Sequence, residues 1–465
     1  MKPVPGFVSG AYLEPSVPGI AQRSVNLYLE GAADGRQALI GTPGLALVYA
    51  LPDGPVRGAG TMNKRTFIVA ADTLYETTSG TPVARGSLAS GVGRVAVANN
   101  DTTLLIVDGV GGYTFSDAGG FKQIDDPDFP NGVTQCAWEG QYFIVGVDGS
   151  KQFFVSELAS ASSWNGLDFA SAENKPEVLK ALIVLHDRLF LFAVTGMEQW
   201  GNTGGGTFAF ERDNGSSSEV GIEAPASLAS MNNGLYWLGR DKEGSCQVFA
   251  LQGGTPSRIS THSLERQLQS VDCSDAYAFT YQQQGHSFYC LTVPALEWTF
   301  VYDAATQKWH DRAYWTGEAF TRWRAACHVF NGKHLVGDYE TGNVYALDLD
   351  VFTDNGQPIR RVRPIPAIAP YARMTFNRFG VDAEMGVAAS GLSPAMTMRF
   401  SNDNGRSWGP ERIKSLGAIG DTGARAVFHR CGSMKEGGKR VFEIVVSDPV
   451  KVAFYGAYMD ATVDA

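Results

Sequence analysis

The sequence predicts an all-β protein: a six- or seven-bladed β-propeller over residues 1–357, with an N-terminal arm, then a β-sandwich-like module over residues 358–465. Three observations carry this reading. Glycine supplies 54 of 465 residues, about 12% against a usual figure of about 7%, as many tight turns require. A short hairpin pattern recurs at nearly constant spacing. Near residue 358 both the pattern and the charge balance change.

The recurring unit is a β-branched or aromatic run, a turn rich in Gly, Asp or Asn, and a second run. It starts at Phe67, Leu104, Tyr142, Leu189, Leu235, Phe288 and His334, at separations of 37, 38, 47, 46, 53 and 46 residues. Turns such as Asp108-Gly109, Asp148-Gly149 and Thr195-Gly196 exploit the tolerance of glycine for positive φ. A period of about 40–50 residues is that of propeller blades of four short strands. The repeats share pattern rather than residues, with no Trp-Asp series and no kelch double glycine.

The stretch Pro358-Ile359-Arg360-Arg361-Val362-Arg363-Pro364-Ile365-Pro366 reads as a linker or an extended edge strand. Beyond it, alternating runs at 378–384, 396–400, 440–446 and 450–454 predict a small sandwich. Residues 358–465 hold 15 basic and 10 acidic side chains, whereas 1–357 hold 23 and 38. Such asymmetry points to two different surroundings.

Composition also excludes classes. Charged residues make up 18% and aromatics 11%, unlike disordered chains, which are highly charged and poor in aromatics. The net charge of −10 argues against a protein that grips DNA phosphates over its whole surface. No stretch approaches 18 uncharged apolar residues, so no membrane span is expected. The segment Met1-Lys2-Pro3-Val4-Pro5-Gly6 has no apolar run for a secretory signal. Six scattered cysteines, Cys136, Cys246, Cys273, Cys290, Cys327 and Cys431, lack the close pairs of a zinc site. They read as reduced thiols of a protein made in the cytoplasm.

Ser401-Asn402-Asp403-Asn404-Gly405-Arg406-Ser407-Trp408 matches the Asp-box pattern at Ser401, Asp403, Gly405 and Trp408. Asp-boxes occur in sialidases, which repeat them on several blades. A single box outside the expected propeller reads as a structural turn. Glycoside cleavage needs a pair of tuned carboxyls or a tyrosine and a glutamate; Asp125, Asp126 and Asp128 lie beside prolines in an apparent exposed loop. The glycine-dense 201–207 lacks the Gly-Lys-Ser/Thr ending of a phosphate cradle. His328 and His334, six apart, need not share a face. No catalytic residue, metal or cofactor is expected.

In order along the chain, several segments resemble the packaged-DNA stabilisation proteins of short-tailed (podovirus-type) bacteriophages, also called tail hub or nozzle proteins. These are Ser24-Val25-Asn26-Leu27-Tyr28-Leu29-Glu30, Gly41-Thr42-Pro43-Gly44-Leu45 and Val56-Arg57-Gly58. They continue with Thr195-Gly196-Met197-Glu198-Gln199-Trp200, Phe300-Val301-Tyr302-Asp303-Ala304, and the C-terminal run from Val381 through the Asp-box to Ala457. The resemblance implies a non-enzymatic virion protein of the tail, made in the host cytoplasm. It would form a ring of six that extends the DNA channel from the tail adaptor or head-completion protein. It would retain packaged DNA and anchor a tail needle, spikes or fibres, while double-stranded DNA passes without sequence-specific binding. A wall that lets DNA slide should not hold phosphates tightly, so the acids of 1–357 are expected to face a channel. Arg360, Arg361 and Arg363 are candidate subunit contacts. Two other readings stand beside this one: a propeller glycosidase or depolymerase acting on surface polysaccharide, and a monomeric propeller serving as a binding platform.

Overall fold

The computed structural model describes all residues except 12–22, 32–34, 36, 79, 173–176, 205–207, 241–243, 368–371, 388–390 and 464–465. Its strands form seven blades and a two-sheet sandwich. The recurring hairpins of the sequence are the second and third strands of successive blades, so seven hairpins make seven blades. The first blade runs Val56–Met62, Arg65–Ala70, Thr73–Glu76 and Val83–Ser87.

The first strands of the blades, Val56–Met62, Ala96–Asn99, Val133–Glu139, Leu179–Leu185, Ala229–Met231, Tyr277–Gln283 and Ala325–Phe330, stand next to one another around the axis. The ring closes where Ala325–Phe330 meets Val56–Met62. Closure is covalently staggered. The last blade takes its outer strand, Gly44–Ala50, from the chain ahead of the first blade, paired antiparallel with Asn343–Asp348. One strand from each end of the propeller therefore completes one sheet.

Seven apolar clusters hold the ring, one between each pair of neighbouring blades. Phe67, Leu104 and Phe115 join the first and second; Phe192 and Trp237 join the fourth and fifth; Val56, Ile68, Leu335 and Val344 join the seventh to the first. Turns between first and second strands use two left-handed residues in succession, as at Asn63-Lys64, His186-Asp187 and Asn232-Asn233, which matches the twist of a tight hairpin.

The sandwich differs from the expectation in one respect. Its larger sheet runs Leu27–Gly31, Gln37–Gly41, Ala453–Val463, Met374–Ala383 and Ala426–His429, with Lys2–Pro3 also on Ala453–Val463. The described part of residues 1–41, expected as an arm of the propeller, thus supplies strands to the C-terminal module. Sequence distance hid this, because Lys2 pairs with Met459. The second sheet is Arg361–Pro366, Val441–Val446, Ala395–Ser401 and Arg412–Ser415. The arginine- and proline-rich stretch is its edge strand, where proline is tolerated. Phe376, Phe379, Phe442, Met396 and Met398 fill the space between the sheets.

Glycine does more than turn the chain. A Cβ on Gly337 of the seventh blade would lie 2.3 Å from Val56 Cγ1 of the first, and one on Gly60 would lie 2.7 Å from Val97 Cγ1. Gly337→Val should therefore force the closing blades apart, costing about 1–3 kcal/mol. The checking measurement is a lower urea midpoint at unchanged m-value. Gly254→Ala, where a Cβ meets nothing within 4 Å, should leave the midpoint in place.

Candidate functional site

Where propeller meets sandwich, three chain segments share one residue pair. Val25 exchanges backbone hydrogen bonds with Val362 of the sandwich edge at 3.0 and 3.1 Å. On its other side, Asn26 N donates to the Asp311 carbonyl of the sixth blade at 2.8 Å, and Asp311 N donates to that of Ser24 at 2.9 Å. Blade and sandwich are thereby continuous through a two-residue strap. Asn26 adopts φ 58°, which asparagine tolerates better than most residues. That turn aims its buried amide across the seam. Nδ2 donates to the carbonyls of Ala313 and Arg360, both at 2.9 Å, and Oδ1 accepts from Ala313 N at 3.0 Å.

The three arginines expected at a subunit surface are instead largely spent inside the chain. Arg361 and Arg363 are 1% and 2% exposed, so neither is available to a neighbouring subunit. Arg363 donates to the carbonyls of Phe7 and Gly6 at 2.8 Å each and to Ser9 Oγ at 3.0 Å, tying the N-terminus down. Burial lowers its pKa to about 10, and the carbonyl bonds compensate the charge. Arg361 lies in the seam with Asp354 and Arg312, and a Cβ on Gly41 would come 2.7 Å from its Nε. Half-buried Arg360 donates to Ser447 Oγ at 3.1 Å and stacks on Trp315 of the sixth blade. Burial pushes the Asp354 carboxyl up to about 6, against the pull of Arg312 and Arg361.

A second clasp sits along the same strap. His286, on the sixth blade, is bonded by Nδ1 to Asp303 at 2.8 Å and by Nε2 to Glu30 at 2.9 Å. Glu30 belongs to the strand Leu27–Gly31 of the sandwich sheet. The Asp303 bond raises the His286 pKa, burial opposes it and Glu30 adds to it, for a value of about 9. Burial would raise the Asp303 carboxyl, yet bonds from His286 and Thr306 hold it below its usual range. Tyr28 packs edge-on to the imidazole, and burial pushes neighbouring His310 down to about 3.

The propeller axis is not lined with acid. Among the residues of the seven inner strands, Glu139 is the one carboxylate, and it is buried. Asp101, Asp117, Asp148 and Glu211 are exposed on turns and outer strands. The expectation that acids face a channel therefore fails for the propeller's own axis, because inner strands pack side chains against adjacent blades. At one mouth, His328 and His334 do meet: Nε2 of the first is 3.0 Å from Nδ1 of the second. The hairpin register opposite Phe330 brings them to one face, and burial lowers both pKa values. With Tyr281, Gln282 and exposed Phe330 they border a cleft of about 400 Å³.

The remaining sequence candidates are local turns. Asp403 accepts from the amides of Arg406 and Ser407 at 3.0 and 2.8 Å and from Ser401 Oγ at 2.6 Å. These bonds hold its carboxyl well below the usual range. Gly405 takes φ 88°, and Arg399 lies over the half-buried Trp408. Asp126 accepts from the amides of Trp164 and Asp128, both at 2.9 Å, while Asp125 and Asp128 are exposed. Of the glycine-dense stretch, 205–207 lie outside the described residues; Gly204 N donates to Asn202 Oδ1 at 2.8 Å. All six cysteines are unbridged. Among the described residues, no group of three or more His, Cys, Asp or Glu is placed to hold a metal, and no helix is long and apolar enough to cross a membrane.

Two family models match the chain. "Bacteriophage P22 Gp10, beta-propeller" matches residues 22–352 and "Bacteriophage P22 Gp10, beta-sandwich" matches 367–462. No curated protein sequence matches. Similar solved structures include the computationally designed Ika8 protein, at 15% identity over 75% of this chain and 96% of that one, TM-score 0.41. Another is virginiamycin B lyase from Staphylococcus aureus, at 11% identity over 64% and 97%, TM-score 0.42.

Two consequences of the seam can be measured. Asn26→Gly keeps the left-handed backbone but removes three hydrogen bonds, two of them buried, at the Ala313 and Arg360 groups. It should cost about 3 kcal/mol and split one calorimetric transition into separate propeller and sandwich transitions. The His286 clasp should give a pH signature. Its folded pKa lies above the ordinary value of 6.5, so its stabilisation is complete below that value and is lost as pH rises through about 9. The melting temperature of the unmodified protein should fall across that window by more than that of His286→Gln.

Proposed function

The chain belongs to the bacteriophage P22 Gp10 family, and from that premise we propose that it is the tail hub of a short-tailed phage. The family match makes it a phage structural protein of propeller-plus-sandwich type. The finer reading is a ring of six that continues the channel from the tail adaptor, holds packaged DNA in place and anchors distal tail components.

The observation that carries this reading is the seam. A hub passes force between the head and whatever is attached below it, so its two domains must move as one body. Here the sandwich joins the rim of the propeller by a shared strap, a buried amide and an ionised histidine clasp rather than by a flexible linker. Inter-domain contacts that are large and internally bonded suppress the relative motion otherwise expected of joined domains. Loops at both ends of the blades remain for partner contacts. The low content of basic side chains fits a wall over which DNA slides.

Electron microscopy of the purified full chain, alone and with the adaptor ring of its phage, tests the proposal. Six-fold rings are expected, at least beside the adaptor. A monomer in both preparations would count against a hub and favour a solitary binding platform.

A further inference from the structure

The fifth, sixth and seventh blades turn between their first and second strands at one mouth of the axis, where the cleft of about 400 Å³ opens. Met231 borders it from the fifth blade, Thr280 and Gln282 from the sixth, and His328 and His334 from the seventh. No carboxylate, lysine or arginine is among its lining residues. The two imidazoles are therefore the strongest ligands that the cleft presents.

The hairpin brings them together on purpose-built geometry. His334 stands opposite Phe330, and His328 opposite Val336, so the two are diagonal neighbours across an antiparallel pair. Long side chains reach each other at that offset, and His328 Nε2 lies 3.0 Å from His334 Nδ1. Both rings are held in place. His328 stacks on Phe279, with centroids 5.9 Å apart, and His334 meets the edge of Tyr281. His334 also hydrogen-bonds to the Gln282 backbone, the kind of outer contact that orients a ligating histidine. Burial holds both imidazoles below the ordinary histidine pKa. Both are then neutral at neutral pH, the form that binds metal.

Two zinc–nitrogen bonds of about 2.0–2.1 Å, set about 90–110° apart, place their nitrogens about 2.9–3.4 Å from each other. The separation in this pair is that of a chelate as well as that of a hydrogen bond. We propose that His328 and His334 chelate one borderline transition-metal dication, such as Zn²⁺, Ni²⁺ or Cu²⁺, with water from the cleft in the remaining positions. The proton between the rings moves to the far nitrogen of the ring that carries it, so no proton need leave the protein. Imidazole selects these ions over magnesium and calcium, which prefer oxygen. Two protein ligands make the site exchangeable, unlike a structural zinc site with four. The proposal makes no use of the tail-hub reading.

Calorimetric titration of the full chain with zinc chloride tests it. One saturable site per chain is expected, with none for magnesium chloride. His334→Asn, which removes a ligand at the mouth of the cleft, should weaken zinc binding by at least about tenfold, the usual least cost of disturbing a metal site. Its melting temperature in EDTA should match that of the unmodified protein. Should His334→Asn melt early, His334→Cys decides, because it exchanges one zinc ligand for another. That variant should bind zinc again and, loaded with Co²⁺, show a thiolate-to-metal absorption band. Equal zinc affinity in the unmodified protein and His334→Asn, no saturable zinc binding at millimolar concentration, or no thiolate band in His334→Cys overturns the proposal.

Discussion

The amide of Asn26 is the constraint on which the two-domain arrangement rests. A residue in the left-handed region, buried at 0% exposure, joins the sixth blade, the sandwich edge strand and the N-terminal strap by three hydrogen bonds. Each of those segments is a sheet edge, and an uncovered edge presents unpaired amides and carbonyls. The strap pairs part of two edges at once, and the side chain satisfies carbonyls that the strap itself cannot reach. Arg361, Arg363 and His286 then add charge to the same junction. They can be buried there because backbone carbonyls, Asp354, Glu30 and Asp303 accept from them or balance them.

Around the propeller the constraint is closeness. Each blade faces the next across an apolar cluster, and glycines allow close approaches there: Gly60 against Val97, Gly146 against Leu182, Gly337 against Val56. Interiors are packed as densely as organic crystals, so a blade edge with no Cβ lets a valine or leucine from its neighbour seat fully. The glycine excess is therefore divided between turns and blade contacts, two uses that a composition cannot separate.

How far the sequence discloses this follows from locality. The second and third blade strands, such as Arg65–Ala70 with Thr73–Glu76, are apolar and joined by short turns, so their repeat is visible and gives the architecture. The inner strands are short or mixed in polarity, as in Ala229–Met231, and the outer ones are exposed, as in Gly120–Gln123; neither has a clear period. The Asp-box is legible because the bonds of the Asp403 carboxylate all go to Ser401, Arg406 and Ser407. The seam is not, since its partners are hundreds of residues apart. Arg361 and Arg363 look like surface charges because arginine is seldom buried, and the carbonyls that receive Arg363 have no signature in sequence. His328 and His334 meet only because a hairpin folds between them.

The pairing of Lys2 with Met459, and of Gly44–Ala50 with Asn343–Asp348, has a consequence for synthesis. Domains of a growing chain commonly fold in turn as they leave the ribosome. Here the ring can close only once Asn343–Asp348 is made, and the sandwich only later still. The sandwich waits for strands from both extremes of the chain, and the ring waits for its seventh blade to find a strand made before the first. The larger sandwich sheet stays open until Ala453–Val463 is made, so a chain ended before that strand closes the seventh blade but not the sandwich. Both closures are present only in a chain that includes Ala453–Val463, so the last strand made is the one that locks the first.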